Sequence, residues 1–312
     1  MNKIERVNAV LQGKEPDRAP VCLWYHFGSQ HLSGEKFASL VLDFFNYYDF
    51  DFLKLMNDYF YPMPEGYEEV TTGRDLLKLP RFEPERSEWK EQLKAIRILA
   101  KALKGQAYMI DTVFDPWQSL QRNVCGEHLP QLAKHYPKEL TKALNIVADN
   151  LIDYCKKSIQ SGANGIFMSV LASKEHVDRK TYLTFIKPAA LKVFESIKDL
   201  APMNVAHIHG VQIYANDVLD FPVPILSWED RLPKNPSLEE IKRRFPGVVM
   251  GGIDNTIVTR HTPAFIKRNV LEGIKMGGKT RFILANGCSI PSWLSSKVLK
   301  MIVDTAKNPP QD

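Results

Sequence analysis

Two periodicities alternate along this chain. Short apolar runs recur, and each gives way to a stretch in which apolar positions return every three or four residues. The first pattern suits buried strands, the second helices with one buried face. Strands are predicted at residues 19–26, 52–56, 108–114, 164–170, 203–209, 224–228, 248–253 and 281–284. An entry helix is predicted at 6–11, and helices follow at 35–48, 89–104, 138–160, 181–200, 211–219, 238–244, 263–276 and 293–307. Residues 60–86 are rich in Pro, Gly, Tyr and charge and read as a lid-like insertion over the mouth of a site. Eight strand-helix units without a break in composition predict a single α/β domain, a (β/α)8 TIM barrel over residues 1–312. A doubly wound sheet is the alternative, but neither a GxGxxG after the first strand nor a GxxxxGK[ST] supports a nucleotide fold.

In a barrel the carboxyl ends of all strands meet at one mouth. The ends here carry Trp24, Tyr25 and His26, then Asn57 and Asp58, Asp111 and Asp115, Ser169, His207 and His209, Glu229, Asp254 and Asn255, and finally Asn286 and Cys288. The most telling run is Met203-Asn204-Val205-Ala206-His207-Ile208-His209-Gly210. Period 2 places His207 and His209 on one face, where they can grip a metal ion together. Cys288 is the third expected ligand, and a thiolate with two imidazoles favours zinc over magnesium or calcium. Asp58, Glu229 or substrate would complete the set. The bland alternatives are hydrogen-bonded core histidines and a buried thiol.

Asp58 and Cys288 are the expected catalytic residues, Asp58 as a proton carrier or substrate holder, against a role as a cap. Expected substrate contacts are Trp24, His26, Tyr59, Trp117, Arg122, Glu229, Asp254 and Asn255. Trp24, Trp117 and Trp228 suit either a flat ligand or the core, Asp254-Asn255 either a polar group or a turn, and Arg122 and Arg260 either an anion clamp or solvated surface.

Composition narrows the class. Hydrophobic residues make up 44% and charged residues 25%, an ordinary globular balance. The net charge of +5 is spread out with no basic block, so nucleic acid is not an expected partner, whereas a small-molecule substrate is. Four scattered cysteines without CxxC pairing suit a reducing compartment, and no apolar run reaches the length of a membrane span. With no signal-peptide pattern at the amino terminus, the expectation is a cytoplasmic protein. The aromatic segment from Tyr59 to Tyr67 reads as a lid or as an interface, the latter in a homodimer.

Arg6-Val7-Asn8-Ala9-Val10-Leu11-Gln12-Gly13 followed by Pro16-Asp17-Arg18-Ala19-Pro20-Val21 resembles the opening of the uroporphyrinogen decarboxylase superfamily. The resemblance continues through Phe114-Asp115-Pro116-Trp117, Ala206-His207-Ile208-His209-Gly210, Met250-Gly251-Gly252-Ile253-Asp254 and Leu284-Ala285-Asn286-Gly287-Cys288. It implies a (β/α)8 barrel and either of two chemistries, porphyrinogen decarboxylation or zinc-dependent methyl transfer with corrinoid proteins. The stretch from Leu23 to Gln30 lacks the arginines that hold a porphyrinogen's carboxylates, and Cys288 stands where the decarboxylase has a late histidine. His207-x-His209 with Cys288 is similar to the His-x-Cys and distant Cys of the methyltransferase branch. The expectation is therefore a zinc-dependent methyltransferase-like enzyme that moves a methyl group to or from a corrinoid protein or a small nucleophile. A metal-free decarboxylase of a tetrapyrrole or smaller acid, with Asp58 at its centre, is the alternative. A barrel that binds a corrinoid or tetrapyrrole without reacting it is the third.

Overall fold

A computed structural model describes residues 1–256, 258 and 262–309; Arg260 lies outside them. Its strands are β1 (Val21–Cys22), β2 (Phe52–Leu55), β3 (Tyr108–Phe114), β4 (Ile166–Val170), β5 (Val205–Ile208), β6 (Ile225–Trp228), β7 (Val248–Ile253) and β8 (Phe282–Asn286). All pair in parallel in the order β1-β8-β7-β6-β5-β4-β3-β2, with helices between them, which makes a (β/α)8 barrel. The barrel interior is filled from alternate positions: Phe52, Ile110, Phe167, Val205, Ile225, Val248 and Ile283, with Val7 and Val10 of the entry helix against the same cluster. The opposite faces of the strands pack on the helices, as where Trp89, Leu93, Ile96, Leu99 and Leu103 of helix Trp89–Leu103 recur at helical spacing.

The ladder is open between β1 and β2, and one residue spans the gap. The Asp51 N–H donates to Val21 O at 3.0 Å, and the Val21 N–H returns a bond to Asp51 Oδ2 at 2.8 Å. The Asp51 carboxylate also takes Arg6 Nη1 at 2.7 Å and Arg18 Nη1 at 2.6 Å, while Arg6 Nε reaches Asp17 at 2.7 Å.

Several expected elements differ. The β1 ladder stops at Cys22, although the chain continues extended to Trp24, whose N–H is held by Asn286 Oδ1 at 3.2 Å. Residues 211–219 form no α-helix. Gly210 and Gln212 take positive φ angles of 102° and 58°, Ile213 bridges Ser173 in antiparallel fashion, and only a 3-10 turn, Ala215–Asp217, follows. Val211 and Ile213 are β-branched and favour that extended pairing over a helix. The expected helix at 181–200 contains a π turn, Tyr182–Ile186, just before Pro188, which has no N–H to complete a regular turn. Residues 60–86 hold two short helical pieces, Gly73–Leu76 and Pro84–Arg86. Among the described residues no helix is long and apolar enough to cross a membrane.

Candidate metal centre and active-site cavity

β5 ends in the two imidazoles because the strand alternates strictly. Val205 and His207 face the interior, Ala206 and Ile208 face the helices, and the chain then turns at Gly210. The His207 ring stacks on Phe167 at 5.0 Å, and its Nδ1 lies 3.2 Å from Ser227 Oγ on β6. His209 stacks on His176 at 5.0 Å, with its Nδ1 3.5 Å from Cys288 Sγ and 3.9 Å from Glu229 Oε2. Cys288 is delivered by a turn after β8 that side-chain amides hold: its N–H donates to Asn255 Oδ1 at 3.2 Å, and its carbonyl accepts from Asn286 Nδ2 at 2.7 Å. Ligand atoms of His207, His209 and Cys288 all lie within 4.8 Å of one another.

Burial sets the protonation of this group. It pushes His207 well below the usual imidazole range, helped by the neighbouring His209, and lowers His209 as well. Both rings are thus neutral and offer lone pairs. The Cys288 thiol is pushed up to about 11 by burial, and the Glu229 carboxylate adds to the effect. Two neutral imidazoles and a thiol that only a cation would ionise at neutral pH form a zinc donor set. Neighbouring ligands of a tetrahedral zinc with bonds of about 2.0–2.3 Å lie ~3.3–3.8 Å apart, so small side-chain rotations close the triangle.

These three residues sit in the wall of a cavity of about 90 Å³ at the barrel mouth, which Trp24, His26, Arg122 and Phe167 also line. Of the expected substrate contacts, Trp24, His26 and Arg122 thus share the cavity with the metal group. Glu229 and Asn255 back it through His209 and Cys288. Asp58 stands behind His26: its Oδ1 accepts from His26 Nδ1 at 2.5 Å, and its Oδ2 accepts from the N–H groups of Gly28 and Ser29 at 3.0 and 3.2 Å. Burial alone would raise this carboxyl, but the His26 and backbone hydrogen bonds outweigh it and hold it below the usual carboxylate range.

The others lie elsewhere. Tyr59 is buried, with its hydroxyl on Leu32 O at 2.8 Å. Trp117 is buried against Phe185 and borders a separate groove of about 670 Å³ that reaches His176. Asp254 Oδ1 accepts the Thr256 N–H at 2.9 Å within a turn. Trp228 is in the core with its indole N–H on Pro236 O at 2.8 Å. Asp111 faces outward to Tyr154 and Ser158 at 2.7 and 2.9 Å, and Asp115 caps the helix that begins at Pro116.

Sequence reasoning passed over Lys54. It lies on β2 between the inward-facing Phe52 and Met56, is 3% exposed, and lines the same cavity. Its ammonium is 4.2 Å from the Phe167 ring centroid and 5.1 Å from that of Trp24, and it donates to Met56 Sδ. Burial lowers it to about 7. The signal was there: a lysine at the inward parity of an otherwise apolar strand. Arg122 reaches the cavity because the helix after β3 opens into a π turn, Gln121–Cys125, a distortion often found at functional sites.

Comparison with known proteins places the chain. Against curated relatives, it is 28% identical over 125 residues to the uroporphyrinogen decarboxylase of Bacillus cytotoxicus, covering 39% of this chain and 34% of that one. With the Geobacillus thermodenitrificans enzyme it shares 26% over 148 residues, 46% of this chain and 41% of the relative, so the chain spans well under half of either. Among solved structures, a methyltransferase from Methanosarcina mazei superposes with a TM-score of 0.79 at 18% identity over 99% of both chains. A B12-independent methionine synthase from Shewanella reaches 0.51 at 16% identity, over 69% of this chain and 64% of that one. At such identities these likenesses are of fold. The uroporphyrinogen decarboxylase (URO-D) family profile matches residues 61–309, and the chain belongs to that family.

Proposed function

We propose that this protein is a zinc-dependent methyltransferase-like enzyme that exchanges a methyl group between a small substrate and a corrinoid protein. The observation that carries this reading is the convergence of His207, His209 and Cys288, from the ends of β5 and β8, at the wall of the barrel-mouth cavity. Those three residues would hold the ion, with Ser227 orienting His207 and Glu229 beside His209. Bound zinc supplies a Lewis acid that keeps a thiol or hydroxyl nucleophile anionic at neutral pH.

The chain's own residues do the rest. Trp24, Phe114 and Phe167 form the apolar part of the cavity wall, which strengthens charge interactions beside it. His26, with its side chain 44% exposed and its Nδ1 held by Asp58, stands where a proton can pass between cavity and solvent. Residues 60–86 act in this reading as a cover, since Tyr61 N–H donates to Asn123 Oδ1 at 3.1 Å in the turn that carries Arg122. A cavity of about 90 Å³ weighs against a tetrapyrrole substrate, because pockets for even drug-sized ligands run to ~300–1,000 Å³.

The test is zinc content and methyl transfer together. Protein purified without chelator should carry close to one zinc per chain and consume methylcobalamin in the presence of a simple thiol, and both properties should disappear in His207→Ala and Cys288→Ala. Full zinc and turnover in either variant would overturn the proposal, as would wild-type protein that takes up no zinc.

A further inference from the structure

We propose that Lys54 and Arg122 form an anion seat in the wall of the cavity, and that the substrate is accordingly a small carboxylic acid. This deepens the methyl-transfer reading by naming the substrate class, and rests on it for the identity of the reacting site.

Lys54 is almost wholly buried, yet no carboxylate pairs with it among the described residues. Its contacts are the faces of Trp24 and Phe167 and the thioether of Met56, a weak acceptor. Arg122 likewise has no carboxylate within ion-pair distance among the described residues. Its guanidinium lies 4.1 Å above the Phe114 ring, on a residue that lines the cavity yet keeps part of its surface exposed. A buried cation without a counter-charge, as at Lys54, is costly, and chains rarely keep one unless something pairs with it.

The nearby acids are committed elsewhere. Asp58 spends both oxygens on His26, Gly28 and Ser29. Glu229 turns to Gly210 N–H at 3.4 Å, and Asp111 points out of the barrel. The cavity therefore presents Arg122, a lysine that an anion would hold protonated, and the imidazoles of His26, His207 and His209, and a bound zinc with one thiolate would add a further positive charge. What is missing from this set is an anion.

Carboxylate fits better than phosphate. A guanidinium fork with an ammonium matches two planar oxygens, and a monoanion loses less hydration on entry than a dianion; the polar groups of Thr112, Gln118, Ser169 and Ser289 in the same wall make inorganic phosphate the comparator that decides. The cavity's size keeps the acid small.

The test is calorimetric titration with methoxyacetate, which has a methyl ether beside a carboxylate, compared with neutral 2-methoxyethanol and with inorganic phosphate. Zinc-loaded and chelator-treated protein are both titrated, so that the ion itself cannot be mistaken for the seat. Methoxyacetate should bind both forms at least about tenfold more tightly than either comparator. Lys54→Met and Arg122→Gln should each weaken it about tenfold or more, and Lys54→Arg should restore most of the loss. The seat is overturned if the alcohol or phosphate binds as well as the acid, or if arginine at position 54 does no better than methionine, which would assign the lysine to packing. Protein that binds the acid but neither holds zinc nor consumes methylcobalamin would sink methyl transfer and leave the seat standing.

Discussion

The seam between β1 and β2 can be broken with one substitution. Asp51 is fully buried and accepts from Arg6 Nη1 at 2.7 Å, from Arg18 Nη1 and Nη2 at 2.6 and 3.0 Å, and from the Val21 N–H at 2.8 Å. Asp51→Ala leaves two guanidinium groups and a strand N–H short of an acceptor. Removing one member of a buried ion pair costs about 3–5 kcal/mol. Arg6 keeps Asp17, and the Arg18 side chain is 17% exposed and can turn toward water, which places the loss at the lower end, about 3 kcal/mol. At roughly 2 °C per kcal/mol for a chain of this size, the thermal midpoint should fall by about 6 °C. The control is Asp17→Ala: that carboxylate is 41% exposed and its loss should cost about 1 kcal/mol after solvent screening. Urea unfolding followed by circular dichroism at pH 7 measures both. If Asp51→Ala proves no more costly than Asp17→Ala, the seam is not closed by this carboxylate, and packing with the main-chain bond from residue 51 to Val21 O holds β1 beside β2.

Two further outcomes follow from the cavity. Burial lowers Lys54 to about 7 in the folded chain, against about 10.4 when unfolded, so between those values the unfolded state binds more protons and stability must rise with pH. Chelator-treated wild type should gain on Lys54→Met by on the order of 1 kcal/mol per pH unit from pH 7 to 10, and a stability difference that stays flat over that range refutes the burial argument. Ser227→Ala removes the group 3.2 Å from His207 Nδ1 while leaving all three proposed zinc ligands in place. Competition with a chromophoric chelator should show zinc affinity reduced about tenfold, and unchanged affinity would mean that Ser227 does not orient the ring.

Much of the barrel was legible because a buried strand and an amphipathic helix write their periods directly into the sequence. His207, His209 and Cys288 could be gathered from afar for the same reason, since parity and the rule that strand ends share a mouth need no knowledge of the loops. What escaped depends on contacts between distant segments. No local pattern tells that residues 211–213 pair with Ser173 instead of coiling, or that the chain after Trp117 widens into a π turn and swings Arg122 inward. Asp58 could be placed at the mouth, but only the structure shows both its oxygens engaged with His26 and the backbone beyond it.

The segments that carried the family resemblance divide in a way that bears on function. Arg6 and Arg18, from the opening motif, meet Asp51 at the end of the barrel remote from the cavity, and Asp17 of the same motif holds Arg6. That end of a barrel serves stability, whereas the carboxyl ends of the strands serve chemistry. The opening motif therefore reports the fold and is silent on the reaction. The choice between decarboxylation and methyl transfer falls to the other end, where His207, His209, Cys288, Lys54 and Arg122 surround one small cavity. Two of those five come from β5 and the residue that follows it, and one from the turn after β8. Lys54 comes from β2, the strand that starts just after Asp51, so the carboxylate of the seam and the buried lysine stand on one short extended segment, one at each end of the barrel interior.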